Sequence, residues 1–184
     1  MTAKELIAAY RHSPGIETLE KLLPYYACRP LIKNEPNEIA QPGFRTELIQ
    51  ALLPDFTLED IDLIRNLLEE ETRYEHSPRK RENIYQLCFY LFELKQPIDC
   101  FVIYQLQFDN YYTSLSGALD PEMITVGNEI KDMIAYIENE FAVNPALEIQ
   151  FSGIIGQLNL LFISSSYKSI AAYREFLHAH FYKK

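Results

Sequence analysis

Arg79 to Phe108 reads RKRENIYQLCFYLFELKQPIDCFVIYQLQF, and the period of its apolar residues decides the fold class. Ile84, Leu87, Cys88 and Leu91 recur at helical spacing, and Tyr85, Phe89 and Phe92 form a second stripe beside them. A helix apolar on nearly every side is one packed by neighbours on both flanks. The spacing therefore predicts a central helix over 79–94. Cys100, Val102, Tyr104, Leu106 and Phe108 alternate as a strand would. Pro97 and Asp99 supply a helix start, however, and a lone strand among helices would leave its backbone groups unpaired, so helix is the expected state.

Working outward toward the N-terminus, Ser77 and Pro78 have the chemistry of an N-cap and a first helical residue. Before them, Thr57 caps a run whose core face is Ile61, Ile64, Leu67 and Leu68, with Glu69, Glu70 and Glu71 expected on the solvent side. Leu48, Ile49, Leu52 and Leu53 make an apolar stripe that stops at Pro54. Cys28 to Gly43 holds three prolines and no sustained period, and reads as a loop. A helical run over Glu17 to Leu23 is expected to end at Pro24, and Thr2 with Glu5 is a capping-box pair.

Toward the C-terminus, Asp120 with Pro121 and Asn144 with Pro145 repeat the helix-start device. A break is expected near Gly127, Gly153 and Gly156 suggest close helix packing, and a last helix spans about Tyr167 to Phe181 behind three serines. Recurrent starts without a strand signal predict an all-α chain, an irregular helical bundle or short α-solenoid of helical hairpins, over a single domain of residues 1–184. No motif recurs at the periods of tetratricopeptide or ankyrin units.

The chain has 184 residues, 48% of them hydrophobic, enough to bury a sizeable core without staples. Three cysteines with no C-x-x-C pair read as small buried hydrophobes. Met1 to Arg11 lacks the apolar core of a secretory leader, and no stretch reaches the roughly 18 apolar residues of a membrane span. The expected setting is cytoplasmic, with no membrane association. A formal net charge of -9 argues against nucleic acid, whose phosphates require clustered Lys and Arg. Glu93 to Glu148 carries ten carboxylates against Lys95 and Lys131, a local net of -8.

Within that acidic stretch Tyr104, Asp109, Asn110, Tyr111, Tyr112, Ser114, Ser116, Asp120 and Glu122 form the candidate partner-binding set. Tyrosine offers large contact area at low rotamer cost, and dense hydrogen-bonding groups beside it suit recognition. The bland alternative is that Asp109 and Asn110 end a helix, the tyrosines cover core, and Asp120 caps the next helix. His178 and His180 lie two apart on one helix, roughly 200° round its axis, and cannot chelate one ion together. No metal or other cofactor is expected. Arg73, Arg79, Lys80 and Arg81 follow Glu69, Glu70 and Glu71, which points to neutralisation within the chain. Neither the scattered glycines nor the serines fit a phosphate loop or a G-x-S-x-G elbow.

The function expected is a non-enzymatic interaction module, in one concrete form an inhibitor or immunity-type protein, whose acidic, Tyr-rich face binds a basic partner protein and neutralises it. The alternative is a small hydrolase-like enzyme working through Asp109 and Asp120, which requires those carboxylates to converge. A third expectation is a homodimer through exposed apolar surface.

Overall fold

A computed structural model describes residues 1–27, 42–73, 79–108 and 119–182. Among the described residues there are ten α-helices and no strand, so the chain is all-α. The helices are α1 (Ala3–His12), α2 (Ile16–Tyr26), α3 (Pro42–Leu52), α4 (Ile61–Arg73), α5 (Lys80–Leu94), α6 (Cys100–Phe108), α7 (Ile130–Val143), α8 (Pro145–Gln150), α9 (Ile154–Ser164) and α10 (Ile170–Tyr182). Short 3-10 turns at Leu58–Asp60, Pro97–Asp99 and Pro121–Thr125 lead into or between them. The chain divides into two compact units, Met1–Tyr90 and Leu91–Lys184, and the division falls inside α5.

In the first unit α1 packs on α2 and α3, with Leu6, Ile7 and Tyr10 as its buried side and Leu48, Ile49 and Leu52 buried on α3. The expected capping box is present: Glu5 N–H donates to Thr2 Oγ1, and Thr2 N–H donates to Glu5 Oε2 at 2.8 Å. α2 does not stop at Pro24 but continues to Tyr26. Proline disturbs the bonding of the turn before it, and so near a helix end that loss is small against the burial of Tyr26. The Tyr26 hydroxyl donates to Asn66 Oδ1 at 2.6 Å, and burial pushes its pKa upward.

α4 buries Leu63, Ile64, Leu67 and Leu68, whereas Ile61 is half-buried. The expectation that Glu69, Glu70 and Glu71 all face solvent is corrected: Glu69 is exposed, but Glu70 and Glu71 are buried. Glu71 lies four residues after Leu67 and seven after Ile64, which puts it on the apolar face. Arginines make that placement tolerable. Arg45 Nε donates to Glu71 Oε1 at 2.6 Å, and Arg73 Nη1 to Glu70 Oε1 at 2.7 Å. Arg73 also pairs with Glu69, so the neutralisation within the chain expected of this cluster is present for Arg73.

Arg11 joins α1 to the loop before α4, donating to Asp60 Oδ2 at 2.8 Å and to Asp55 Oδ2 at 3.0 Å. The hydrogen bonds from Arg11 hold the Asp55 carboxyl below the usual aspartate range. A carboxyl depressed in the folded chain adds stability above its unfolded pKa, and that contribution is lost as pH falls through the folded value. In an NMR titration of the side-chain carboxyls, Arg11→Gln is expected to return Asp55 to the ordinary range. An unchanged Asp55 titration would show that the ion pair does not persist in solution.

In the second unit the alternating segment is a helix, α6, and its buried residues Cys100, Phe101, Ile103 and Leu106 follow helical rather than strand spacing. Phe101 packs against Phe151, with ring centroids 4.7 Å apart. The expected break near Gly127 is a turn between Pro121–Thr125 and α7, with Val126 and Gly127 both left-handed at φ +49° and +69°. A left-handed β-branched residue is strained, and Val126 is held there fully buried. α7 packs on α8 and α9, and α6 on the 3-10 turn at Pro121–Thr125. Just before α10, Ser169 Oγ accepts from Ala172 N–H, and Tyr173 on α10 meets Phe92 edge-on at 5.4 Å.

Candidate functional site

The sequence-predicted set is only partly within the described residues. Asp109, Asn110, Tyr111, Tyr112, Ser114 and Ser116 lie outside them, so the convergence of Asp109 with Asp120 does too. Tyr104, Asp120 and Glu122 belong to the second unit. Tyr104 stands in a ring cluster with Phe108 and Phe151, at centroid distances of 5.1 and 6.1 Å. Asp120 does not cap the following turn with its side chain; its carboxylate accepts from the Tyr173 hydroxyl at 3.0 Å. Its backbone carbonyl accepts from Gln107 Nε2 at 2.6 Å, tying the 3-10 turn to α6.

Glu122 follows on the same turn and is only 5% exposed. Its Oε1 accepts from the Ser165 hydroxyl at 2.6 Å, and Ser165 Oγ in turn accepts from Tyr167 N–H at 3.1 Å. The Tyr167 phenol is pushed above its usual pKa by burial first, and then by the charges of Asp120 and Glu122. Asp120, Glu122, Ser165, Tyr167 and Tyr173 therefore form one polar cluster.

Two clefts open beside this cluster and share Glu122, Leu161 and Ser165 as wall. The smaller, of about 260 Å³, is completed by Phe108, Pro121, Gln157 and Leu160 with the neighbouring serines. The larger, of about 540 Å³, is lined from the start of α7 by Glu129 and Asp132 and from the end of α9 by Phe162 and Ile163. α9 carries no charged residue, and Leu160, Phe162 and Ile163 are 55%, 66% and 82% exposed. Apolar side chains of that size left in water on a charge-free helix are the feature that single scattered hydrophobes do not produce.

The acidic stretch is less uniform as a surface than as a sequence. Asp99 and Glu122 are buried, and Glu93 accepts from Arg174 Nε at 2.9 Å with His178 Nε2 beside it at 3.1 Å. Glu129, Asp132, Glu138 and Glu148 are the exposed carboxylates of α7 and its flanks. Tyr136, on α7, has its phenol pushed up to about 12, by burial first and then by Glu140.

Ser165, Tyr167 and the α9 residues were missed by reading for motifs. Ser165 lies far along the chain from Glu122, and nothing local pairs them. The one legible signal was the absence of charge across α9. Among the described residues no group of three or more His, Cys, Asp or Glu side chains is placed to hold a metal ion, and no helix is long and apolar enough to cross a membrane.

The glycines flanking the start of α9 differ. A Cβ at Gly153 would lie 2.5 Å from the Tyr104 hydroxyl, whereas one at Gly156 would meet nothing within 4 Å. The expected close packing thus exists at Gly153 and not at Gly156. Gly156→Ala is expected to raise stability by about 0.5 to 1 kcal/mol through helix propensity, and Gly153→Ala to lower it as the Tyr104 ring is displaced. Urea midpoints of both variants check this; a loss of stability in Gly156→Ala would contradict the open placement of that residue.

Compared with known proteins, the chain matches no family model, no curated protein and no solved structure.

Proposed function

We propose that the second unit is a docking surface for a basic, amphipathic protein segment, and that the chain works by binding rather than by catalysis. The observation that carries this reading is the larger cleft, lined both by exposed Phe162 and Ile163 of α9 and by Glu129 and Asp132. A segment with one apolar and one Lys- or Arg-bearing face would cover the first and complement the second. Lys131 and Lys168 also border the cleft, and Glu129, Asp132 and the buried Glu122 outnumber them. Acidic groups around an apolar strip favour fast, salt-sensitive encounter followed by apolar anchoring. An inhibitor of immunity type, holding a basic protein inactive, is one form this function takes. The burial of Cys88 and Cys100 among apolar side chains is compatible with a reducing compartment such as the cytoplasm.

The test is a fluorescence anisotropy titration with a helical Lys/Leu peptide of about 15 residues, long enough to hold a helix. Binding is expected to weaken as salt rises, and to fall at least about tenfold when Phe162 and Ile163 are both replaced by Ser, because each loses burial worth roughly 1.5 kcal/mol or more. Equal binding of a Glu/Leu peptide, or indifference to the α9 substitutions, would remove the proposal.

A further inference from the structure

Glu122 is a buried carboxylate with no cation at ion-pair distance among the described residues. Asp60, Glu70 and Glu71, also buried, each adjoin an arginine: Arg11, Arg73 and Arg45 respectively. Glu122 has the Ser165 hydroxyl on Oε1, and its backbone carbonyl accepts from the Thr125 hydroxyl at 2.8 Å. No Lys, Arg or His nitrogen lies at ion-pair distance from it among the described residues. Removing a carboxylate from water without a counter-charge is costly, and such groups in proteins are normally paired. Glu122 differs from the paired ones in a second respect, since it forms the shared wall of both clefts.

The surroundings match one kind of guest. Phe108, Leu160 and Leu161 give the smaller cleft apolar walls, on which the methylene stem of a long basic side chain packs well. At its inner end the cation would meet Glu122, with Ser165 already orienting the carboxylate. At about 260 Å³ the cleft is below the roughly 300 to 1,000 Å³ usual for pockets that enclose a whole small-molecule ligand. One side chain, presented by a partner, is the better match.

We infer that the smaller cleft is the receptor for a lysine or arginine side chain of the partner segment, with Glu122 as its counter-charge. This rests on the docking function proposed above and adds to it the anchor residue and the chemistry it takes. Its test uses the full chain and the Lys/Leu peptide. Each lysine in turn is replaced by norleucine, which keeps the stem and removes the ammonium.

One position is expected to dominate, with affinity falling roughly ten- to hundredfold there, the cost of one buried charge-assisted contact. In Glu122→Gln that dominance disappears, while the other positions keep their small effects. Should Glu122→Gln fail to fold, the readout is the amide shifts of Ser165 and Tyr167 in the unaltered chain. They are expected to move with the lysine peptide and not with the norleucine peptide. Uniform small effects at every lysine, or unmoved Ser165 and Tyr167 amides, overturn the anchor while leaving docking through α9 intact. Absence of peptide binding altogether overturns both. Free n-butylammonium binding as tightly as the peptide would also overturn it, by assigning the cleft to a small amine instead.

Discussion

Arg45→Met is expected to destabilise the first unit by about 3 to 5 kcal/mol, the usual range for breaking a buried ion pair from one side. Arg45 and Glu71 are both fully inaccessible, and the substitution leaves the Glu71 carboxylate in the core without the guanidinium 2.6 Å away. The Tyr26 carbonyl loses a donor as well, since Arg45 Nη1 donates to it at 3.0 Å. Glu71→Leu alone is also expected to be destabilising, because it removes the carboxylate that accepts from the fully buried Arg45 Nε. The pair is not ideally satisfied: among the described residues Glu71 Oε2 has no hydrogen-bond partner, so part of its desolvation is not offset there. Replacing both residues, Arg45→Met with Glu71→Leu, should therefore restore most of the loss. Urea denaturation followed by tyrosine emission in a chain without tryptophan measures all three variants. If the double variant is as unstable as the sum of the singles, the two residues do not act as a pair.

Gly127→Ala is the second large effect, expected to cost about 3 kcal/mol or more. Two terms combine. At φ +69° an L-residue with a Cβ is strained, and that Cβ would sit 2.2 Å from the Phe92 carbonyl oxygen and 2.9 Å from an Arg174 nitrogen. The nearer atom is backbone, so no rotamer change relieves the contact. Arg174 also donates to the Gly127 carbonyl at 3.1 Å and to Glu93, so a displaced turn disturbs the polar link between α5 and α10 within the second unit. Thermal unfolding of the alanine variant checks this. A melting temperature equal to the parent's would mean that the turn is not packed against Phe92.

These two sites differ in how far the sequence announces them. A glycine between a proline-led turn and a regular apolar helix reads as a break, and Gly127 is one. Glu71 misleads, because three glutamates in a row suggest a solvated face, yet its seven-residue spacing from Ile64 puts it inside. The helical period places Glu71 inside, and Arg45 at 2.6 Å outweighs the preference of its carboxylate for water. For Cys100 to Phe108 the balance ran the other way. Alternation suggested a strand, but the preceding Pro97–Asp99 turn and the lack of any pairing edge favoured helix, which is what forms.

The candidate site was legible only at one end. Asp120 and Glu122 could be chosen because they open a helical turn in an acidic stretch. Their partners Tyr173 and Ser165 come from the far end of the second unit, and a contact of that kind leaves no local pattern to read. The polar segment from Asp109 to Ser116 drew attention by composition and lies outside the described residues. The exposed side of α9 could have been suspected from its sequence, since IIGQLNLLFIS has no charge on any face. Its glycines suggest close helix packing instead, and periodicity cannot separate a helix covered by its own chain from one left for a partner.

The most direct measurement of the docking proposal is amide shift mapping by NMR, with the labelled full chain titrated by the helical Lys/Leu peptide. Saturable shifts confined to α7, α9 and the Ser165–Tyr167 turn are the expected result. Shifts concentrated on α1 to α4, or none at peptide concentrations that saturate the anisotropy signal, would contradict it.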